Sequence, residues 1–286
     1  MSNLKILNKN IFDDYATLIM SFGGTASGFP LSNLTNDKKS KTWRSTNLTT
    51  PKITVTWSTA QTLSGVALAF TNLIAGSTFR VYLYNATSSG TLLYDSGAVS
   101  VSEGYSIPAG FTSIGSASFA YGGGAHASLF FNSTSAVRRM DIEFTSAGNP
   151  DGYIEISRII AGVAVDPGRD AAQGAIVSFI DNTTSERTSS GDLITDRGTI
   201  SRAIDFSMLH LNADSRKILN DLFRYSGRSQ PIFVSLSTAG TISEGQLFSQ
   251  IYGKIDQDLA LEIPMLNKYN ASVRILSFKN YHYPVL

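Results

Sequence analysis

Pro30-Leu-Ser-Asn-Leu-Thr-Asn-Asp-Lys-Lys-Ser-Lys-Thr-Trp-Arg-Ser-Thr46 is polar and rich in turn formers, with one large aromatic, Trp43, near its end. Asn33, Asn36, Asp37 and Ser40 are residues that hydrogen-bond their own backbone in turns. Immediately after it, Lys52-Ile-Thr-Val-Thr-Trp57 alternates as a half-buried strand does. A single Trp in a loop before the first strong strand is either an anchor pinning the loop to a core or an exposed ligand platform. The anchor is favoured, because an exposed indole needs something to cover it.

Beyond this loop the first half reads as strand and turn. Ile53, Val55 and Trp57 share a face, as do Val66, Leu68 and Phe70. Phe79, Val81 and Leu83 oppose Arg80, Tyr82 and Tyr84. In Ala136–Phe144, Val137, Arg139, Asp141 and Glu143 face away from Arg138, Met140, Ile142 and Phe144. Such short alternating strands predict a sandwich whose sheets each bury one side. Ala16–Phe22 is a candidate strand lying against that sheet, and Ile154–Ala161 is the last strand before Val165.

The order of the Trp43-Arg44 loop, strand Ile53–Trp57, strand Leu63–Phe70, Asn72-Leu73 and the Arg80-Val81 strand resembles a discoidin-like (galactose-binding-like) jelly roll. It resembles in particular the version in tail and baseplate structural proteins of bacteriophages and prophages. The resemblance implies a non-enzymatic structural component of a phage tail tip or baseplate, joining tail proteins in a symmetric assembly and contributing to host attachment. Its partners would be other tail proteins, copies of itself in a ring, and a host-surface glycan. Its place would be the virion tail, after synthesis in the host cytoplasm. The alternative is a carbohydrate-binding module for host-surface glycans.

The expected fold class is mainly β: a jelly-roll β-sandwich over residues 1–165, then a smaller α+β domain over 166–286. Two domains suit 286 residues, and Asp166-Pro-Gly-Arg-Asp-Ala-Ala172 interrupts both patterns. In the second part, strands are expected at Gly174–Ile180, Thr199–Leu211, Pro231–Ser237, Leu247–Lys254, Leu259–Ile263 and Val273–Phe278, forming an antiparallel sheet. One packed helix, Ala213–Tyr225, is predicted between the Asn212 cap and Gly227, burying Ile218, Leu219, Leu222 and Phe223.

Composition narrows the function. The chain has no cysteine, so disulfides and thiol chemistry are out. Charged residues make up 16%, with eleven Lys/Arg against nine Asp/Glu before Val165 and twelve against thirteen after it. No basic face is concentrated enough to predict nucleic-acid binding. No stretch reaches the length of a membrane span, and no signal peptide is evident, so neither membrane insertion nor export is expected.

Chemistry-bearing motifs are few. His126, His210 and His282 lack metal-ligand spacing. There is no phosphate loop or nucleophile elbow. Asp141 and Glu143, two apart on one strand face, would stand about 6.5–7 Å apart, compatible with glycoside hydrolysis. A solvent face balanced by Arg139 is the stronger reading, and no enzyme is expected. No cofactor is expected either, since a calcium at Asn33, Asn36 and Asp37 falls short of the usual six to eight ligands.

Candidate ligand-binding residues are Lys41, Trp43 and Arg44 in the first loop and Phe119, Tyr121 and His126 around Gly122-Gly-Gly124. The glycine-rich segment is either a mobile surface excursion or an adaptable loop presenting those three side chains. Tyr281, His282 and Tyr283 form an aromatic tail suited to contact with a partner.

Overall fold

A computed structural model describes residues 3–281, apart from 39, 75, 102–124, 173, 197, 199, 237–248 and 259. The chain starts with strand β1 (Lys5–Leu7) and then builds an antiparallel jelly-roll-like unit. Its strands are β2 (Thr17–Phe22), β3 (Trp43–Arg44), β4 (Thr49–Thr71), β5 (Thr78–Tyr84), β6 (Leu92–Asp95), β7 (Val99–Ser100), β8 (Ala125–Thr145) and β9 (Glu155–Gly162).

Two long strands organise it, β4 with 23 residues and β8 with 21. The first half of β4 lies between β2 and the second half of β8, with β5 beyond. The second half of β4 lies between β9 and the first half of β8. Register shifts between Thr56 and Gly65 mark the bend that carries both strands from one layer to the other. Ile53, Val55 and Trp57 from one layer share a core with Val66, Leu68 and Ile159 from the other, and all six are fully buried. Each such side chain contributes about 1.5–3 kcal/mol on burial.

Alternation fails at two places, both where a ladder breaks. Val137 is buried instead of facing solvent with Arg139. The β4–β8 pairing skips from Thr56–Arg139 to Gln61–Val137, and Arg138 fills the gap by donating to the carbonyls of Trp57 (3.3 Å) and Ser58 (2.8 Å). A two-residue period is not carried past such an interruption. Phe70 leaves the face of Val66 and Leu68 because its backbone takes φ 55° at another register shift.

The second unit is an antiparallel sheet of β10 (Ile176–Asp181), β13 (Ile200–Leu211), β14 (Ile232–Ser235), β15 (Gln250–Ile255), β16 (Leu261–Met265) and β17 (Lys268–Tyr281). A hairpin, β11 (Thr184–Arg187) and β12 (Leu193–Asp196), projects between β10 and β13. The strand order is β1-β14-β15-β17-β13-β10, with β16 also on β17. The N-terminal strand therefore belongs to the second sheet, pairing Lys5 with Ser235 and Leu7 with Phe233. This corrects the expected 1–165 unit at its start. Three residues too short to signal a strand locally find their partner more than two hundred positions away.

Helix α1 (Ala213–Ser226) packs on one face of this sheet. Asn212 accepts from the Ser215 N–H at 2.8 Å, and the Gly227 N–H closes the other end on the Phe223 carbonyl at 2.7 Å. Leu219 and Leu222 are buried, whereas Ile218, expected inside, is 38% exposed. The buried stripe is Ser215, Leu219, Leu222 and Ser226, a rotation that puts Ile218 at the helix flank. Leu219→Ala is expected to cost about 2–4 kcal/mol in denaturant unfolding and Ile218→Ala under about 1. Equal losses at both positions would contradict this orientation.

The other face of the sheet meets the jelly roll. Leu7, Phe233 and Tyr252 pack against Ala67, Ala69, Phe70 and Ile160 in a third apolar cluster. Strand β9 is consequently covered on both faces, which explains its nearly unbroken apolar sequence Ile156–Ala161 around Ser157 and Arg158.

Candidate ligand-binding site

On the outer face of the β2–β4–β8–β5 layer, strand registers set polar side chains in three rows. Lys52, Glu143 and Arg80 form one; Thr54, Asp141, Tyr82 and Asp95 the next; Thr56, Arg139 and Tyr84 the third. These are the alternate positions of strands whose other residues fill the core, so the packing that buries Ile53, Val55 and Ile142 fixes this face too.

The charges are paired within and between the rows. Lys52 Nζ lies 2.8 Å from Glu143 Oε2, and Arg139 Nε lies 3.4 Å from Asp141 Oδ1. Thr54 Oγ1 donates to Asp141 Oδ1 at 2.8 Å and lies 3.0 Å from Ser21 Oγ. Arg80 grips Asp95 through two bonds of 2.8 and 2.5 Å. That grip holds the Asp95 carboxyl below the ordinary range, and the bond to Glu143 holds the Lys52 ammonium above its own. The tyrosines are braced by cations: Arg139 lies 3.8 Å from the Tyr84 ring centre and Arg80 4.7 Å from that of Tyr82.

Over this floor lies an open concavity of about 700 Å³. Its walls are Ile19, Ser21 and Phe22 on β2 and Thr87, Ser88 and Ser89 in the β5–β6 loop, with Lys52, Thr54, Arg139, Asp141 and Glu143 beneath. Phe22 is 58% and Ile19 47% exposed, giving apolar surface beside hydroxyls and ion pairs. Asn85 holds the loop at its base, its Oδ1 accepting the Thr91 N–H at 2.8 Å.

The residues singled out by sequence lie elsewhere. Trp43 is fully buried beside Phe144 (6.1 Å between ring centres), and its indole N–H donates to Thr25 Oγ1 at 3.2 Å. It is an anchor and makes no contact surface. Arg44 is held between Phe29 (4.0 Å) and Tyr153 (4.4 Å) and paired with Glu155 at 2.5 Å. It sits on β3, at the edge of the other layer. Lys41 is exposed nearby. His126 is buried between Phe70 and Phe233, at 5.1 and 5.9 Å, and so is part of the packing between the two units. Phe119, Tyr121, His282 and Tyr283 lie outside the described residues, and of Tyr281 only its place at the end of β17 is described.

The calcium candidate also divides. Asn33 Nδ2 donates to the Thr42 carbonyl, Asn36 Oδ1 accepts the Lys38 N–H, and Asp37 Oδ1 accepts from the Tyr252 hydroxyl. Three side chains turned to three different partners do not converge on an ion. Among the described residues no cluster of three His, Asp or Glu is arranged to hold a metal.

Asp141, Glu143 and Arg139 were visible in the sequence as one strand face, read there as a solvent face. Phe22 and Ile19 carry no signal of their own, because only pairing of β2 with β4 brings them to it. The Thr87–Ser89 rim lies in Asn85–Gly90, one of the end loops through which the jelly-roll resemblance implies binding.

No family model and no curated protein matches the sequence. Among solved structures it is similar to chitosan-binding module 1 of a chitosanase/glucanase from Paenibacillus sp. IK-5, at 16% identity and TM-score 0.36, over 54% of this chain and 98% of the module. The CBM32 of AlyQ in complex with 4,5-unsaturated mannuronic acid aligns at 19% identity and TM-score 0.35, over 52% and 95%. The family 32 module of C. perfringens NanJ in complex with galactose aligns at 9% identity and TM-score 0.37, over 55% and 98%.

Proposed function

We propose that the jelly-roll unit binds carbohydrate without transforming it, in the concavity between β2, β4, β8 and the β5–β6 loop. The observation that supports this is the mixture of groups lining one open space. A sugar presents hydroxyls that donate and accept together, and C–H faces that prefer apolar or aromatic surface. Lys52–Glu143 and Arg139–Asp141 supply fixed donors and acceptors side by side, and Phe22 and Ile19 supply the apolar patch. Because each carboxylate is already matched by a cation, the arrangement favours recognition over general acid chemistry. The open form suits an extended or terminal glycan better than an enclosed small molecule.

Titration of the full chain against a panel of neutral, acidic and amino glycans tests the proposal. A glycan should bind, and Phe22→Ala and Glu143→Gln should each weaken it at least about tenfold, roughly 1.4 kcal/mol, with circular dichroism unchanged. Binding unaffected by both substitutions would move the site elsewhere, and no binding to any of the panel would overturn the reading.

The second reading is a structural role in a phage tail tip or baseplate, with the virion as its location and other tail proteins as partners. It rests on the sequence resemblance and on low charge density, which lowers the desolvation cost of covered surface. The projecting β11–β12 hairpin, with all eight strand residues exposed, favours it. Imaging of labelled particles tests it: absence of the chain from purified virions would remove it.

A further inference from the structure

The hairpin β11–β12 is the outer end of a longer ribbon. β10 pairs with β13 from Ile176–Asp205 to Asp181–Ile200, and β11 continues on β12 from Thr184–Asp196 to Arg187–Leu193. The polar stretch after Ile180 is thus strand for much of its length. A two-stranded ribbon is marginal in water without a sheet or core to cover it. This one carries Leu193 and Ile194, neighbours that point to opposite faces, both exposed.

The near end of the ribbon, β10, is the last strand of the second sheet among the described residues. Its sequence is Ile176-Val-Ser-Phe-Ile-Asp181, with Ile176 59% and Phe179 53% exposed on opposite faces. Sheet edges that stay single are ordinarily guarded by charge, proline, a bulge or a cover. Several other edges among the described strands show such guards. β16 carries Glu262 and Pro264, β1 is bridged by Val165, β2 is bulged between Met20 and Phe22, and β3 is two residues long. β10 has no lysine, no proline and no register shift against β13.

We propose that β10 is the association edge for a second copy of this chain, joining two second-unit sheets by antiparallel β10–β10 pairing. The occupant follows from two features. An unguarded edge needs an unguarded edge, and among the described strands of this sheet a second copy offers β10 itself. The strand is also self-compatible: a two-fold axis through Ser178 sets Ser178 against its own copy, Val177 against Phe179 and Ile176 against Ile180, so no like charges meet. The inference does not depend on the carbohydrate reading, since the concavity lies on the other unit.

Sedimentation of the full chain over a wide concentration range tests it. The wild type should reach dimer mass, and Ile176→Lys and Phe179→Lys should each raise the dissociation constant at least about tenfold. Ser178→Cys, in a chain free of cysteine, should give disulfide-linked dimer on oxidation, while Ser58→Cys on the jelly roll should not. The cysteine arm holds even if a lysine variant misfolds. A wild type that stays monomeric, or a dimer indifferent to both lysines and not trapped by Ser178→Cys, would overturn the proposal.

Discussion

Trp43→Ala is expected to destabilise the jelly-roll unit by about 3–5 kcal/mol, the largest loss foreseen for a single core truncation here. The indole is fully buried, packs against Phe144, and holds its N–H to Thr25. Its deletion would leave a cavity at the junction of the first loop and the sandwich. Leu34 sits in that loop with no exposed surface, and Asn33 ties it to Thr42, so the loop has few other apolar supports. Denaturant unfolding should show a lower midpoint with an unchanged slope. Glycan binding in the concavity should persist below the transition, because Trp43 lines no part of it. A loss under about 1 kcal/mol together with abolished binding would reverse both statements.

What the sequence showed depended on how local the cause was. Period-two alternation within β5 needs only its own residues, and Phe79, Val81 and Leu83 are buried as read. The helix was bracketed by its own cap residues, Asn212 and Gly227. Its rotation was not, because whether Ile218 or Ser215 faces the sheet depends on the neighbouring strands. Val137 and Phe70 were misplaced for a related reason: a break in the β4–β8 ladder changes which face a residue joins, and nothing in either strand alone announces it. The site was half legible. Its charged floor lies on single strands, whereas its walls come from pairing across 30 to 67 positions. Arg158 illustrates the limit best, since within β9 it is one cation in an apolar run.

That arginine is where the two units are tied together, and its removal carries the second large expected effect. Arg158 is buried and holds Asp13 through bonds of 2.7 and 2.5 Å, the Leu34 carbonyl at 3.2 Å and Asp37 at 3.1 Å. From the second sheet, the Tyr252 hydroxyl donates to Asp37 at 2.7 Å and lies 3.4 Å from the Arg158 Nε. Burial raises the Tyr252 phenol well above its ordinary range, so it remains a donor, and burial also raises the Asp13 carboxyl against the pull of Arg158. Arg158→Met would leave two carboxylates facing each other without their cation, at a cost of about 3–5 kcal/mol. Tyr252→Phe removes one bond and should cost about 1–3 kcal/mol. The protein supplies separate probes for its halves. Both tryptophans, Trp43 and Trp57, lie in the jelly-roll core, and α1 lies in the second unit. In the wild type, tryptophan fluorescence and helical circular dichroism should report one common unfolding transition, because the Phe70–Tyr252–Phe233 cluster and the Arg158 network span the junction. In Arg158→Met the two signals should separate, the jelly roll unfolding first since Asp13, Leu34 and Asp37 all belong to it. Coincident transitions in the variant, with a loss under about 1 kcal/mol, would show that the apolar cluster alone couples the halves and that the ionic network contributes little.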